Sequence, residues 1–187
     1  MPEGTAMPKD LQFSVRYDAA QDRMKLMAAF PDGTEVRAWM TRRLVKNLLG
    51  MSGRVAEKMV PQQVVTPEAK KEVAQFQREA AVQQANFRKG FQGGTPHPEL
   101  GEELRLITEI RINPKESGGM HMKLSLDNGK FVAWQIPSQT YWGLLHLIER
   151  QSHRAEWDLV AAPAPAPEPE KRLRGEREPA KDKPKPN

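Results

Sequence analysis

Two stretches of the chain decide how it folds: MKLMAAFPDGTEVRAW, Met24–Trp39, and MKLSLDNGKFVAW, Met122–Trp134. Each begins with Met-Lys-Leu, passes through a turn that contains glycine, and ends with Ala-Trp. Pro-Asp-Gly suits a type I turn that closes on a glycine with positive φ, and Asn-Gly is a strong signal for a two-residue hairpin loop. Both stretches are therefore predicted to be β-hairpins.

The two hairpins are predicted to bring the same residue types together. With a three-residue loop in the first hairpin and a two-residue loop in the second, counting back from the loops gives four cross-strand pairs: Leu26 with Ala38, Lys25 with Trp39, Leu124 with Ala133, and Lys123 with Trp134. Leucine and alanine then share one face, and lysine and tryptophan share the other. This match indicates an internal repeat, the alternative being two unrelated hairpins that agree by chance.

The surrounding sequence extends each hairpin to a βββα unit, in residues 11–60 and 102–160. LQFSVRYD and LRLITEIRIN alternate apolar and polar residues, as a half-buried strand does, and precede the hairpins. Thr41 and Ser138 are positioned to cap the helices that follow. The predicted fold class is α+β: two βββα repeats form an antiparallel six-stranded arrangement with helices packed on it.

The remaining segments are predicted to lie outside this body. Residues 1–10 form a flexible N-terminus, and residues 61–101 form a linker that contains a mostly polar helix over 67–89. Thr66 and Pro67 supply the signals that start this helix. Residues 161–187 are rich in Pro, Lys and Glu and are predicted to be disordered, because they cannot bury enough apolar surface to fold.

Composition narrows the class of protein. The net charge of +5 permits an anionic partner without the dense positive charge of a dedicated duplex-DNA binder. The absence of cysteine excludes disulfides, thiolate catalysis and cysteine-based zinc sites. Neither a secretory signal nor an apolar run long enough to span a membrane is visible, so we expect no membrane span and a cytoplasmic location.

The sequence offers little that suggests catalysis. It contains neither a glycine-rich phosphate loop after a strand nor a nucleophile elbow. His146, Glu149 and His153 share a helix face and are weak candidates for metal ligands, although an exposed polar helix face accounts for the same spacing. We therefore expect no enzyme activity and no cofactor, and a metal-dependent enzyme is a remote third hypothesis.

Two lysine–tryptophan pairs and a basic helix start are the candidate binding residues. If Trp39 and Trp134 lie on the open face of the sheet, Lys25 and Lys123 place a cation beside each indole, which suits single-stranded nucleic acid or a protein partner. If both indoles belong to the core, the lysines reach solvent at its rim. The basic helix start, namely Arg42, Arg43 and Lys46, fits either an anion site or ordinary solvated surface.

The last predicted helix has apolar residues around much of its circumference. Trp142 and Leu147 broaden its stripe, so it either is deeply buried or forms a homodimer or partner interface. From these features we expect a non-enzymatic interaction or adaptor protein of unknown partner. The alternative function is a single-stranded nucleic-acid-binding protein that uses the Trp, Lys and Arg face.

Overall fold

The protein is an α+β fold with a mostly antiparallel sheet and three helices, as the sequence predicts. It is described by a computed structural model for residues 10–60, 64, 66–85, 90–115 and 119–159. The strands are β1 (Gln12–Asp18), β2 (Arg23–Ala29), β3 (Thr34–Met40), β4 (Thr95–Pro96), β5 (Arg105–Pro114), β6 (Met120–Leu126) and β7 (Phe131–Ile136). The helices are α1 (Arg42–Met59), α2 (Pro67–Gln84) and α3 (Ser138–Arg154). The predicted tail at 161–187, residues 1–9 of the predicted N-terminal segment and residues 86–89 of the predicted linker helix lie outside the described residues.

The strand order in the sheet is β1-β2-β3-β5-β6-β7, and the two-residue β4 pairs with the start of β3. Two antiparallel meanders therefore lie side by side. They join through β3 and β5, which run parallel and pair Ala38 with Arg105 and Trp39 with Leu106. The antiparallel arrangement predicted for all six strands is corrected at this junction. The internal repeat stays a prediction.

The first hairpin has the predicted register. Phe30 N–H donates to the Thr34 carbonyl at 2.8 Å, and Gly33 closes the loop with a φ of 83°. Lys25 consequently faces Trp39 across β2 and β3. This register follows from the three-residue loop, because its glycine adopts a positive φ at low energetic cost.

The second hairpin differs from the prediction by one residue. Leu126 N–H donates to the Lys130 carbonyl at 2.9 Å, and Gly129 has a φ of 78°, so this loop also contains three residues. Trp134 consequently pairs with Met122, and Lys123 pairs with Ala133. A one-residue change of register moves a side chain to the opposite face of the sheet. Trp134 therefore does not share a face with Lys123.

One face of the sheet carries the core. Met24, Leu26, Met122 and Leu124 alternate with partly exposed neighbours and are at most 2 % exposed. Helix α3 supplies the facing layer, in which Tyr141, Leu145 and Ile148 are fully buried. Burying a side chain of this size contributes roughly 1.5–3 kcal/mol, so the alternation in the strands and the apolar stripe of α3 stabilise each other.

The sheet is so strongly curved that side chains of its two edge strands, β1 and β7, come into contact. The ring of Phe13 on β1 lies 6.4 Å from the ring of Trp134 on β7, centroid to centroid. Phe30, at the end of β2, packs edge-on against the same indole at 5.3 Å. Trp134 thus fills the concave side of the sheet together with two phenylalanines.

A contact from the end of the described chain fixes the turn between β1 and β2. Asp22 accepts hydrogen bonds from Trp157 Nε1 at 2.8 Å and from the Tyr17 hydroxyl at 2.9 Å. These bonds, that from Trp157 first, lower the pKa of the Asp22 carboxyl. Trp157 is buried, and its ring packs edge-on against Tyr17. The segment after α3 is therefore fastened to the first meander.

Helix α2 packs on the other two helices rather than on the sheet. It contacts α3 and α1 and buries only Ala74 and Ala81 among its residues, in keeping with its polar sequence. Helix α1 is continuous through Gly50 and Gly53. Among the residues with described coordinates, none of the helices is long and apolar enough to cross a membrane.

The short strand β4 depends on a close approach of two backbones. A Cβ at Gly94 would lie 2.4 Å from the Gly33 carbonyl oxygen. We therefore expect Gly94→Ala to lower the free energy of unfolding by about 1–3 kcal/mol, since overpacking forces the backbone to shift. Urea denaturation followed by circular dichroism measures this change.

A matched glycine provides the control for that substitution. Gly53 is exposed in α1, and a Cβ there meets nothing within 4 Å. Gly53→Ala should raise the free energy of unfolding by about 0.5–1 kcal/mol, because alanine loses less conformational entropy in a helix. Equal effects of the two substitutions would contradict the close approach at Gly94.

Candidate binding face of the sheet

The face of the sheet that points away from the core carries mainly polar and basic side chains, and we name it the open face. Its members follow from the alternation along each strand and from the cross-strand register. They include Arg16, Lys25, Arg37, Trp39, Leu106, Arg111, Lys123, Phe131 and Ala133. These side chains are half-buried or exposed.

Lys25 and Trp39 form one lysine–aromatic pair on the open face. They oppose each other across β2 and β3, and the Lys25 ammonium lies 5.3 Å from the centre of the indole. Arg16 flanks Lys25 on β1 and Leu106 flanks Trp39 on β5, so the four strands present these side chains in one row. The Trp39 side chain is half-buried, so part of the indole is accessible to solvent beside the Lys25 ammonium.

Lys123 and Phe131 form a second lysine–aromatic pair, on the other meander. The Lys123 ammonium lies 3.8 Å from the centre of the Phe131 ring. Phe131 is 53 % exposed, which is unusual for a large apolar residue. Phe131 is not among the residues predicted from the sequence, because it lies on this face only if Asp127-Asn128-Gly129 forms a loop of three residues.

Trp134 takes no part in the open face, which corrects the prediction for this residue. Its ring lies between Phe13 and Phe30 on the concave side. Its Nε1 is buried and has no hydrogen-bond partner within the described part of the chain. The physical reason is the three-residue loop, which moves Trp134 to the face of Met122.

Arg42, Arg43 and Lys46 are all exposed in the first turns of α1, as expected for a basic helix start. Thr41 caps this helix and accepts a hydrogen bond from Leu44 N–H at 3.2 Å. Arg42 also lowers the pKa of the Asp22 carboxyl, although less than the hydrogen bonds to that group do. These cations lie at the start of the helix that directly follows β3.

The open face has an excess of unpaired cations. Arg37 and Arg111 are neutralised by carboxylates of their own strands, Glu35 at 2.7 Å and Glu109 at 2.8 Å. Arg16, Lys25 and Lys123 form no ion pair with any residue that the structure describes. Lys25 and Lys123 contact aromatic rings rather than carboxylates, so their positive charges are not neutralised by a described residue.

Among the described carboxylates of this region, Glu35 alone is buried, at 2 % exposure. Burial by itself raises the pKa of the carboxyl, but hydrogen bonds from Arg37 and from Gly94 N–H outweigh it and lower the pKa below 4.5. Stability from this group is consequently present above pH 4.5 and is lost as the pH falls through the lowered pKa of the folded state.

We expect Glu35→Gln to lower the free energy of unfolding at pH 7 by about 1–3 kcal/mol, because hydrogen bonds to a charged acceptor are weakened. The difference from the natural protein should shrink as the pH falls below 4.5, because Glu35 is progressively protonated while glutamine stays neutral. Urea denaturation at pH 7 and at pH 3 measures both values. A difference that stays constant with pH would contradict the role of the carboxylate.

The three weak metal candidates do not come together as a ligand set. The Glu149 carboxylate forms an ion pair with Arg78 of α2, and His153 is exposed at the end of α3. His146 lines a groove of about 630 Å³ between the helices, beside Arg78 and Glu79. Within residues 10–159, apart from the undescribed gaps, no group of three metal-ligating side chains is assembled.

The interface predicted on α3 is corrected for Trp142. This side chain is 2 % exposed and lies under α2, with the Arg78 guanidinium 5.9 Å from the centre of its ring. The breadth of the apolar surface of α3 is thus explained by packing within the chain. Leu147 is half-buried and lines a groove of about 290 Å³ together with Leu11 and Phe91.

Comparison with known proteins adds nothing to these observations. No protein-family model matches the chain, and neither a curated protein nor a solved structure is significantly similar to it. Any function therefore has to be argued from the geometry of the chain itself.

Proposed function

We propose that this protein is a non-enzymatic binding module whose open face takes single-stranded nucleic acid. The observation that carries the proposal is the presence of two lysine–aromatic pairs, Lys25–Trp39 and Lys123–Phe131, on one sheet face. Aromatic platforms bind bases of any sequence by stacking, and adjacent cations bind the phosphates. The two pairs lie one on each meander.

The geometry suits an extended strand better than a small ligand. Trp39 on β3 and Phe131 on β7 are separated by three strand spacings, which is roughly 14 Å across a sheet. Stacking on both rings therefore requires a ligand that spans several nucleotides. Arg16, beside Lys25 on β1, would extend the contact with the phosphates beyond the first ring.

The two lysines should contribute to binding through their charge. For a single-stranded ligand, the slope of the logarithm of the binding constant against the logarithm of salt concentration is about −0.7 per phosphate contact. Replacing Lys25 and Lys123 with glutamine should therefore reduce the magnitude of that slope by about 1.4. Fluorescence anisotropy of a labelled 15-nucleotide oligonucleotide, titrated at several salt concentrations, measures it.

Two controls separate the open face from other positive charge. Lys58 and Lys71 are exposed on α1 and α2, away from the sheet, and their replacement with glutamine should leave the slope unchanged. A chain that ends at Val160 tests the basic C-terminal residues in the same way. Two outcomes would reject the open face as the binding site. One is binding that is lost when the C-terminal residues are removed. The other is a salt slope that changes as much with Lys58 and Lys71 replaced as with Lys25 and Lys123 replaced.

A protein partner is the second candidate, as expected for an interaction or adaptor protein. It is favoured by Phe76, which is 72 % exposed on α2 and makes no part of the core. A photoreactive phenylalanine analogue at position 76 would form a discrete protein adduct in a cell extract under this hypothesis. If no discrete adduct forms and Phe76→Ala has no effect on the size of a complex, the hypothesis of a protein partner is left without support.

A further inference from the structure

Strand β7 is an edge of the sheet with unused hydrogen-bonding groups. In an antiparallel pair, alternate residues bond to the neighbouring strand, and the residues between them direct both backbone groups outward. Leu126 and Lys130 are a bonded pair, so Val132, Trp134 and Ile136 bond to β6. The outward residues are Phe131, Ala133 and Gln135, and no described residue bonds to their outward groups.

The two edges of the sheet are protected to different degrees. On β1 the outward N–H of Tyr17 donates to Gln151 Oε1 of α3 at 3.1 Å, and the strand carries Arg16 and Asp18. Strand β7, FVAWQI, has neither a charge nor a proline nor a bulge. Proteins usually protect edge strands with such features, because an unprotected edge is a template for another strand.

We infer that β7 pairs with β7 of a second copy of this chain, antiparallel and with Ala133 on the two-fold axis. This register bonds Ala133 to the partner's Ala133 and Phe131 to the partner's Gln135, so every outward group of the strand is used. The outward-facing residues of β7 are spaced symmetrically about Ala133, so two antiparallel copies can bond to each other. Because β7 has no charged residue, the pairing places no like charges side by side. The small side chain of Ala133 leaves room where the two copies come closest.

This pairing gives a closed dimer rather than a fibre. A fibre would need β7 of one copy to add to β1 of the next, and α3 already covers the outward side of β1. An isologous contact through a two-fold axis closes after two copies. The two open faces would then form one continuous sheet surface, with Phe131 of each copy near the axis. The inference does not depend on what that surface binds.

Cysteine cross-linking tests both the edge and the register, because the natural chain contains no cysteine. In the proposed pair the Ala133 Cα atoms lie about 5.5 Å apart, within the roughly 4.4–6.8 Å range that a disulfide spans. Gln135 lies four residues from the partner's Gln135 along the pair, about 13 Å, which is too far. We expect full-length Ala133→Cys to cross-link under mild oxidation and Gln135→Cys to remain uncross-linked.

Sedimentation equilibrium with a second pair of variants completes the test. Ala133→Lys places like charges at the two-fold axis and should weaken the dimer at least about tenfold. Ser125→Lys puts the same charge on the same face of β6, one strand from the edge, and should leave the dimer intact. A natural chain that is monomeric at all accessible concentrations overturns the inference. So does a dimer that Ala133→Lys does not weaken, or one in which Gln135→Cys cross-links as readily as Ala133→Cys.

Discussion

Replacing Trp142 with alanine is expected to lower the free energy of unfolding by about 3–5 kcal/mol, the usual cost of removing a buried large aromatic side chain. Trp142 is 2 % exposed and packs against Tyr141, with ring centroids 4.9 Å apart, and beneath Arg78. The substitution therefore creates a cavity where α2 and α3 meet. Urea denaturation followed by circular dichroism measures the loss.

The exposed Phe76 on α2 provides the control for this substitution. Phe76→Ala removes a large side chain from the same helix pair but leaves no cavity, and its effect should stay within about 0.5 kcal/mol. If Trp142→Ala left stability unchanged and instead altered the size of a complex, Trp142 would belong to an interface, as the sequence alone permits.

Replacing Trp39 and Phe131 together with alanine is expected to weaken the binding of a single-stranded oligonucleotide by at least about 30-fold. Each stacked base contributes roughly 1–3 kcal/mol by alanine substitution, and the two rings lie on different meanders, so their effects should add. Both side chains are outside the core, so the variant should keep its circular dichroism spectrum and its unfolding midpoint within a few degrees. Fluorescence anisotropy measures the affinity.

The exposed aromatic ring of Phe76 again gives the matched control, since it lies on a helix and no cation of the described residues lies over it. Phe76→Ala should bind the oligonucleotide as the natural chain does. A folded Trp39/Phe131 variant with full affinity would remove the two rings from the binding site. If Phe76→Ala lost as much affinity for the oligonucleotide as the Trp39/Phe131 variant, binding would occur through exposed aromatic residues in general.

The two hairpins show why only part of the fold follows from the sequence. Pro31-Asp32-Gly33 admits one loop of three residues, and the register of Lys25 with Trp39 follows from it. Asp127-Asn128-Gly129 is compatible with a loop of two or three residues, because Asn-Gly suits both. A two-residue loop would place every residue of β7 on the opposite face, with Trp134 in place of Phe131 in the candidate site.

Longer-range features could not be read from local patterns. The parallel junction between β3 and β5 depends on which edge strands of the two meanders pair with each other. The alternation of apolar and polar residues along a strand does not specify its neighbour in the sheet. The burial of Trp142 depends on α2, whose weak apolar stripe did not indicate where it packs. By contrast, the exposure of Arg42, Arg43 and Lys46 is expected from residue type alone, because charged side chains without a partner are rarely buried.

Photocross-linking of a bromodeoxyuridine-substituted oligonucleotide, with mass spectrometry of the adducts, tests the central claim most directly. At saturating oligonucleotide, the open-face account predicts adducts on peptides that contain Trp39 or Phe131 and none on the peptide that contains Phe76. The adducts should disappear at high salt, together with binding of the oligonucleotide. Adducts confined to other peptides, or an oligonucleotide that does not bind at low salt, would contradict the account.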